Sequence, residues 1–312
     1  MKRPAETSPG LMAAGLATIY VVWGTTYLGI RVAIETIPPF FLSGTRYMLA
    51  GLLLFGWVAF RGGLRAGWPS RRMWLSALIT GTGLVAFGNG ALSWGELYLP
   101  SGGAAIFIAT VPLWMTAMAR VFQSEPIRPL AAAGLVLGLV GLVLLVGPAA
   151  FSGGPVFAML ACLLAALGWA AATVYSRTAP FPNNPFQVAG MQMFSGGVVV
   201  FLFSLLSGDA AGFHPAALSV RSELAFVYLL FIGAILGFGV FIWLVKVAPL
   251  PLVATYAYVN PVVAVVLGHF LLAEPITLVT IAGGGVVIAG VVLIVASQSH
   301  ERRIEESQRS AA

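Results

Sequence analysis

Ten long apolar runs, at about 11–33, 40–60, 73–97, 100–121, 129–148, 154–176, 186–207, 223–245, 251–272 and 277–297, alternate with short polar breaks along the chain. Each run has the roughly 20 residues that a helix needs to cross the hydrocarbon of a bilayer. The breaks leave no soluble domain of useful size. The pattern predicts an all-α integral membrane protein of ten transmembrane helices, with its function inside the membrane. Composition agrees: 59% of residues are hydrophobic and 8% charged, against about 25% charged in soluble domains. Mean hydropathy is +0.97.

The formal charge of +6 would suggest nucleic acid in a soluble protein. Here the basic residues flank helices and set topology. Lys2, Arg3, Arg61, Arg65, Arg71, Arg72, Arg120, Arg128, Arg177, Lys246, Arg302, Arg303 and Arg309 all fall on one side. Glu35, Glu96, Asp209, Glu223 and Glu274 fall on the other, with Arg31 and Arg221 near them. The positive-inside rule then puts both termini in the cytoplasm, as an even number of spans requires. The expected setting is a bacterial inner membrane. The N-terminal tail shows no small-residue cleavage signal, so the first helix is expected to be retained. The single Cys162 lies mid-helix and reads as a small core residue.

The chain repeats itself. Pro100 and Pro249, Ala105 and Ala254, Pro112 and Pro261, Glu125 and Glu274, Pro126 and Pro275, Gly134 and Gly283, and Gly141 and Gly290 are all 149 apart. Trp23 and Arg31 match Trp169 and Arg177 at an offset of 146. The expected organisation is a tail at 1–10, a first repeat at 11–148 (helices 1–5), a second at 154–297 (helices 6–10), and a tail at 298–312. Five is odd, so the second copy must enter the membrane from the opposite face. Glu125 and its copy Glu274 should therefore lie on opposite sides. Inverted repeats of this kind place the substrate site at their seam, near the midplane.

Several stretches together resemble the EamA family of the drug/metabolite transporter superfamily. They are Val22-Trp23-Gly24, Arg46, the run from Tyr98 to Leu113 with Pro112 near its end, the Glu-Pro at 125–126, and Tyr256-Ala-Tyr-Val-Asn-Pro261. The resemblance covers about residues 11–297. It implies a ten-helix, two-repeat exporter of amino acids, aromatic ones included, or of related metabolites. Phosphate-ester and nucleotide-sugar exchangers share that fold but rely on deep basic residues, and no cluster of intramembrane Lys and Arg is seen here. A passive facilitator remains a further alternative.

Polar side chains inside lipid-spanning segments are costly, so they usually face a cavity or another helix. Trp23 and Tyr27 share a face of helix 1, with Thr26 beside them, and Trp169 repeats the pattern on helix 6. Asn89 and Glu96 share a face of helix 3, flanked by Trp94. The expected cavity lining is Trp23, Thr26, Tyr27, Asn89, Trp94, Trp114, Trp169, Gln192, Tyr256, Tyr258 and Asn260. Aromatic rings there can stack on a substrate or hold an ammonium group. Arg46, the deepest basic residue, can hold a carboxylate bidentately or lock helices together. Glu96 and His269 are candidate proton sites, against bland readings as an interfacial acid and a packing histidine. Pro112 and Pro261, as repeat partners, are candidate hinges. Gly134, Gly138 and Gly141, mirrored by Gly283 and Gly290, form a small-residue stripe for close packing within the protomer.

Gly81-Thr-Gly-Leu-Val-Ala86 imitates a dinucleotide fingerprint but lies in a membrane helix with no preceding strand. No nucleophile elbow, metalloprotease motif or phosphate loop is present. The expected partners are therefore a small-molecule substrate and the bilayer. No enzyme activity, cofactor, metal or nucleic acid is expected, and a monomer is favoured over a homodimer.

Overall fold

The computed structural model describes residues 8–65, 67–99, 101–146, 154–272 and 277–310. Among them, ten helices are long and apolar enough to cross a membrane. They are α1 Pro9–Ala33, α2 Pro39–Gly63, α3 Arg71–Gly95, α4 in two pieces (Ser101–Ile108 and Val111–Gln123), α5 Pro129–Val146, α6 Val156–Ser176, α7 Pro185–Leu206, α8 Val220–Val247, α9 in two pieces (Leu250–Ala254 and Tyr256–Leu272) and α10 Leu278–Ser310. Helix α10 runs on through the charged stretch expected to be a tail, where Glu, Arg and Gln are good helix formers.

The helix starts are written into the sequence. Ser8, Ser70, Asn184 and Ser219 accept main-chain N–H groups that no turn precedes to satisfy. Pro9, Pro39 and Pro185 sit in first turns, where a missing N–H costs nothing.

The seam between the halves is antiparallel. Gly44, Met48 and Gly51 of α2 face Phe201, Gly197 and Phe194 of α7, so one helix descends as the other rises. In the same way Gly134, Gly138 and Gly141 of α5 face Ile294, Gly290 and Val287 of α10. These are the helices that correspond between the two repeats. Antiparallel packing of corresponding elements is what a flipped duplicate produces. The remaining contacts keep the symmetry: α3 packs on α6 as α8 packs on α1, and α4 packs on α6 as α9 packs on α1. The small-residue stripe is spent inside the protomer, as expected, because glycines let α5 and α10 approach backbone to backbone. Pro100, Glu274, Pro275, Lys2 and Arg3 lie outside the described residues, so the opposed sidedness of Glu125 and Glu274 stays an expectation.

Two features have no signature in the hydropathy pattern. Helix α3 carries a ten-residue π segment, Thr82–Ala91, and α8 carries one of equal length, Leu229–Phe238. They occupy equivalent places in the repeats. A π turn swings carbonyls out of the ladder and frees them for side-chain donors. Asn89 Nδ2 donates to Leu84 O at 3.2 Å, and Trp23 Nε1 of α1 donates to Gly233 O at 3.1 Å.

The expected hinges differ from one another. The break in α4, at Ala109–Thr110, immediately precedes the piece that Pro112 helps to start. In α9, Pro261 lies inside a continuous helix, and the interruption is at Thr255.

Candidate functional site

An internal cavity of about 60 Å³ sits among α1, α2, α3, α4, α6, α8 and α9. At roughly 10–15 Å³ of such space per water, that is room for a few waters. On one side it ends on an aromatic layer. The repeat partners Trp23 and Trp169 meet edge to face, with ring centres 5.5 Å apart. Tyr256 lies 4.9 Å from Trp23, and Phe241 lies 5.1 and 5.3 Å from the two tryptophans. Phe238 and Phe241 are fully buried and complete the layer. These rings lie between the cavity and the face on which α1 begins. From Trp23 the wall climbs through Thr26, Tyr27 and Ile30 along α1, and through Gly88, Asn89 and Leu92 along α3.

One cation lines this cavity. Arg46 of α2 is 2% exposed. Its guanidinium donates to Asn89 Oδ1 at 3.3 Å and rests on the Tyr47 ring, 4.5 Å from its centre. Its Nε has no hydrogen-bond partner. The Trp169 indole N–H lies beside the Tyr256 hydroxyl but completes no hydrogen bond, whereas its counterpart on Trp23 is satisfied by Gly233. Unpaired buried donors are costly in an apolar interior, so a site holding two of them is short of an acceptor. The Tyr20 and Tyr256 carbonyls, 3.2 and 2.9 Å from the Asn260 amide, assign its nitrogen to their side, where it donates to both and ties α9 to α1. The Tyr20 and Thr255 hydroxyls, 2.5 Å apart, reinforce that tie.

The sequence pattern of the EamA-like transporter family matches twice, over residues 10–147 and 156–296, which together take in nearly the whole chain. The chain belongs to that family. This EamA-family transporter is also 34% identical over 280 residues to YedA of Escherichia coli strain K12, described as an uncharacterized inner membrane transporter, with 89% of each chain covered. It is 26% identical over 308 residues to the chloroplastic WAT1-related protein At3g02690 of Arabidopsis thaliana, covering 92% of this chain and 72% of that one. A crystal structure at 21% identity superposes with a TM-score of 0.75, covering 96% of this chain and 100% of the other, and shares the fold. The family consists of transporters, so the protein is a membrane transporter and not an enzyme.

The fold of the EamA-family chain sorts the expected lining. Trp23, Thr26, Tyr27, Asn89, Trp169, Tyr256 and Asn260 converge on the cavity, together with Arg46. Four others stand elsewhere. Tyr258 is fully buried against Gly138, and its hydroxyl donates to Leu135 O at 3.0 Å, so it secures the α5–α9 contact. Gln192 is buried and donates to Thr80 Oγ1 and Ser176 Oγ, both at 2.9 Å, fastening α7 to α3 and α6. Trp94 meets Tyr98 edge to face and Phe157 at a tilt, outside the cavity lining. Trp114 is 37% exposed on the outer surface of the bundle. His269 is exposed and packs edge-on against Phe270, away from the cavity. Glu96 is not a rim acid but 1% exposed. Cys162 is buried, as a core residue should be.

Sequence reading missed Tyr47, Gly88, Leu92, Ile108 and Val111 on the cavity wall, and the Phe238–Phe241 floor. Tyr47 had a signal, as the neighbour of the one deep arginine. The others are apolar residues with no signal of their own: the direction of Gly88, Leu92 and Phe238 follows from the π segments of α3 and α8, and that of Ile108 and Val111 from the break in α4. The new role for Tyr258 predicts that Tyr258→Phe leaves transport intact and lowers stability by about 1 kcal/mol, the worth of one buried hydrogen bond. Parallel melting and transport assays check it.

Proposed function

We propose that the protein is a secondary transporter that exports amino acids, aromatic ones included, or similar small metabolites across the bacterial inner membrane by alternating access, with both termini in the cytoplasm. The observation that carries this reading is the pairing of Arg46, buried with an unpaired Nε, with the Trp23–Trp169–Tyr256 ring cluster across one cavity. A guanidinium fork suits a carboxylate, and the rings suit an aromatic or aliphatic side chain and an ammonium group. With a single lining arginine, the cavity offers little to a doubly charged phosphate ester.

Antiparallel packing of the corresponding helices supports alternation. So does the inequality between the repeats: α4 breaks just before Pro112 and α9 does not break at Pro261, and Trp23 is bonded where Trp169 is not. Two halves of similar sequence in different conformations can exchange them. At the α1-start face, a cleft of about 450 Å³ lies between the α4–α5 and α8–α9 turns, lined by Glu125, Arg128, Arg177 and Lys246. Arg177 pairs there with Glu125 at 2.7 Å. In this reading the cleft is the cytoplasmic vestibule, and the ring layer is the barrier above it.

The test is counterflow of a panel of labelled amino acids in proteoliposomes. Stimulated exchange by some of the panel is expected, and Trp169→Ala should cut it about tenfold, the loss of roughly 1.4 kcal/mol of ring contact. Exchange by phosphate esters alone would replace this reading with its rival.

A further inference from the structure

Behind the cavity wall lies a charge that the transport reading leaves unused. Glu96 follows the last turn of α3 and is 1% exposed. Neither of its carboxylate oxygens has a hydrogen-bond donor. Two arginines lie within electrostatic reach, Arg31 of α1 and Arg46 of α2, yet the hydrogen bonds they make go elsewhere. Arg31 donates to the main-chain carbonyl of Glu96 at 3.1 Å, and Arg46 donates to Asn89. The other titratable groups facing Glu96 are the Tyr27 hydroxyl from α1 and the Cys162 thiol from α6. Tyr27 and Arg46 both line the cavity.

A buried carboxylate held by fields but by no donor is costly, and taking up a proton relieves it. A bidentate arginine contact would suppress that exchange. Here the guanidinium groups are turned aside, so gain and loss of the proton requires no ion pair to break. The charge of Glu96 reaches the cavity through a medium of low dielectric, where electrostatic influence carries far.

We propose that Glu96 is a proton-binding site that competes with the ammonium group of a zwitterionic substrate. The proposal rests on the amino-acid reading above. With Glu96 ionised, its charge offsets one of the two positive charges of Arg31 and Arg46, and Arg46 and Glu96 present a positive and a negative end to a molecule with the same two ends. With Glu96 protonated, Arg31 and Arg46 are both left unbalanced, the net positive charge of the region rises, and the substrate ammonium is repelled. Proton and zwitterion then exclude each other. This is the coupling that exchanges an outgoing amino acid for an incoming proton, with one proton bound on one face and released on the other. An anionic substrate without an ammonium group would show the reverse dependence, binding better when Glu96 is protonated.

The experiment follows tryptophan fluorescence of the purified full chain as an amino acid active in counterflow is titrated at a series of pH values. For the wild type, affinity should weaken on acidification by up to about tenfold per pH unit, the limit for one competing proton. Glu96→Gln should bind weakly with no pH slope, and Glu96→Asp should restore the slope. The corresponding 2-hydroxy acid should show the opposite slope in the wild type. A wild-type slope that survives in Glu96→Gln overturns the proposal, and so does a flat wild-type profile. An infrared carboxyl C=O band that changes with pH in the wild type and is missing from Glu96→Gln reports the proton without any substrate. Its absence in the wild type also overturns the proposal. If the band is present but no amino acid binds, the substrate reading fails and the competition fails with it, while the proton site stands.

Discussion

Arg46→Gln is expected to lower amino-acid counterflow about a hundredfold. The guanidinium is buried, lines the cavity and keeps an unpaired Nε. Hydrogen bonds to charged partners are worth about 1.5–3 kcal/mol, and the upper end corresponds to roughly two decades of affinity. Arg46→Lys should recover little, because a point charge on a flexible stem lacks the planar fork. The substitution also removes a positive charge near buried Glu96, which makes its ionised form harder to hold. Melting in detergent must therefore be measured alongside. The decisive comparison is between an amino acid and the amine lacking its carboxylate. If Arg46 holds the carboxylate, the variant loses the amino acid and spares the amine. Equal losses for both would make Arg46 a structural lock.

The second large effect concerns the seam between the repeats. A Cβ at Gly51 of α2 would lie 2.6 Å from Phe194 Cα and 2.7 Å from the Gly190 carbonyl oxygen of α7. Both are main-chain atoms and cannot swing aside. Gly51→Val must push the helices apart and open the close packing that holds the two halves together. Overpacking typically costs about 1–3 kcal/mol, and a branched side chain against backbone belongs at the top of that range. The expected result is a clear fall in melting temperature and in the yield of monodisperse protein. Gly56, one and a half turns along the same helix, is the control, because a Cβ there meets nothing within 4 Å. Gly56→Ala should be neutral or stabilising, by up to about 1 kcal/mol of helix propensity. Similar losses for both substitutions would mean that the seam tolerates separation.

Both effects depend on side chains that the linear sequence identifies unequally. Arg46 is legible because an arginine two turns inside an apolar run has no reason to be there without a partner. The pairing of Gly51 with Phe194 is not, since no period along α2 reveals which of its glycines meets α7. Tyr256 and Tyr258 make the same point within one helix. They are two residues apart and so point to nearly opposite sides. One closes the cavity and the other fastens α5, and the choice is set by how α9 is rotated against α1 and α5. Gln192 looked like a cavity amide because it is polar within a span, but hydroxyls on two neighbouring helices satisfy it instead.

What the sequence determined by itself is whatever hydrophobicity and chain length enforce. Apolar runs of membrane length fix the ten helices, because an unpaired backbone cannot remain in lipid. A duplicated unit with an odd number of spans fixes the antiparallel relation of its copies. Equivalent positions in the copies bring Trp23 and Trp169 to the seam, where they touch. The tertiary structure alone decided the rest: the π segments that turn Asn89 and Gly233 into the site, the burial of Glu96, and the departure of Tyr258, Gln192, Trp94 and Trp114 from it. These outcomes depend on helix rotation and on contacts between residues as far as 235 positions apart, and the apolar pattern of a single helix carries no record of which neighbour will fill each of its sides.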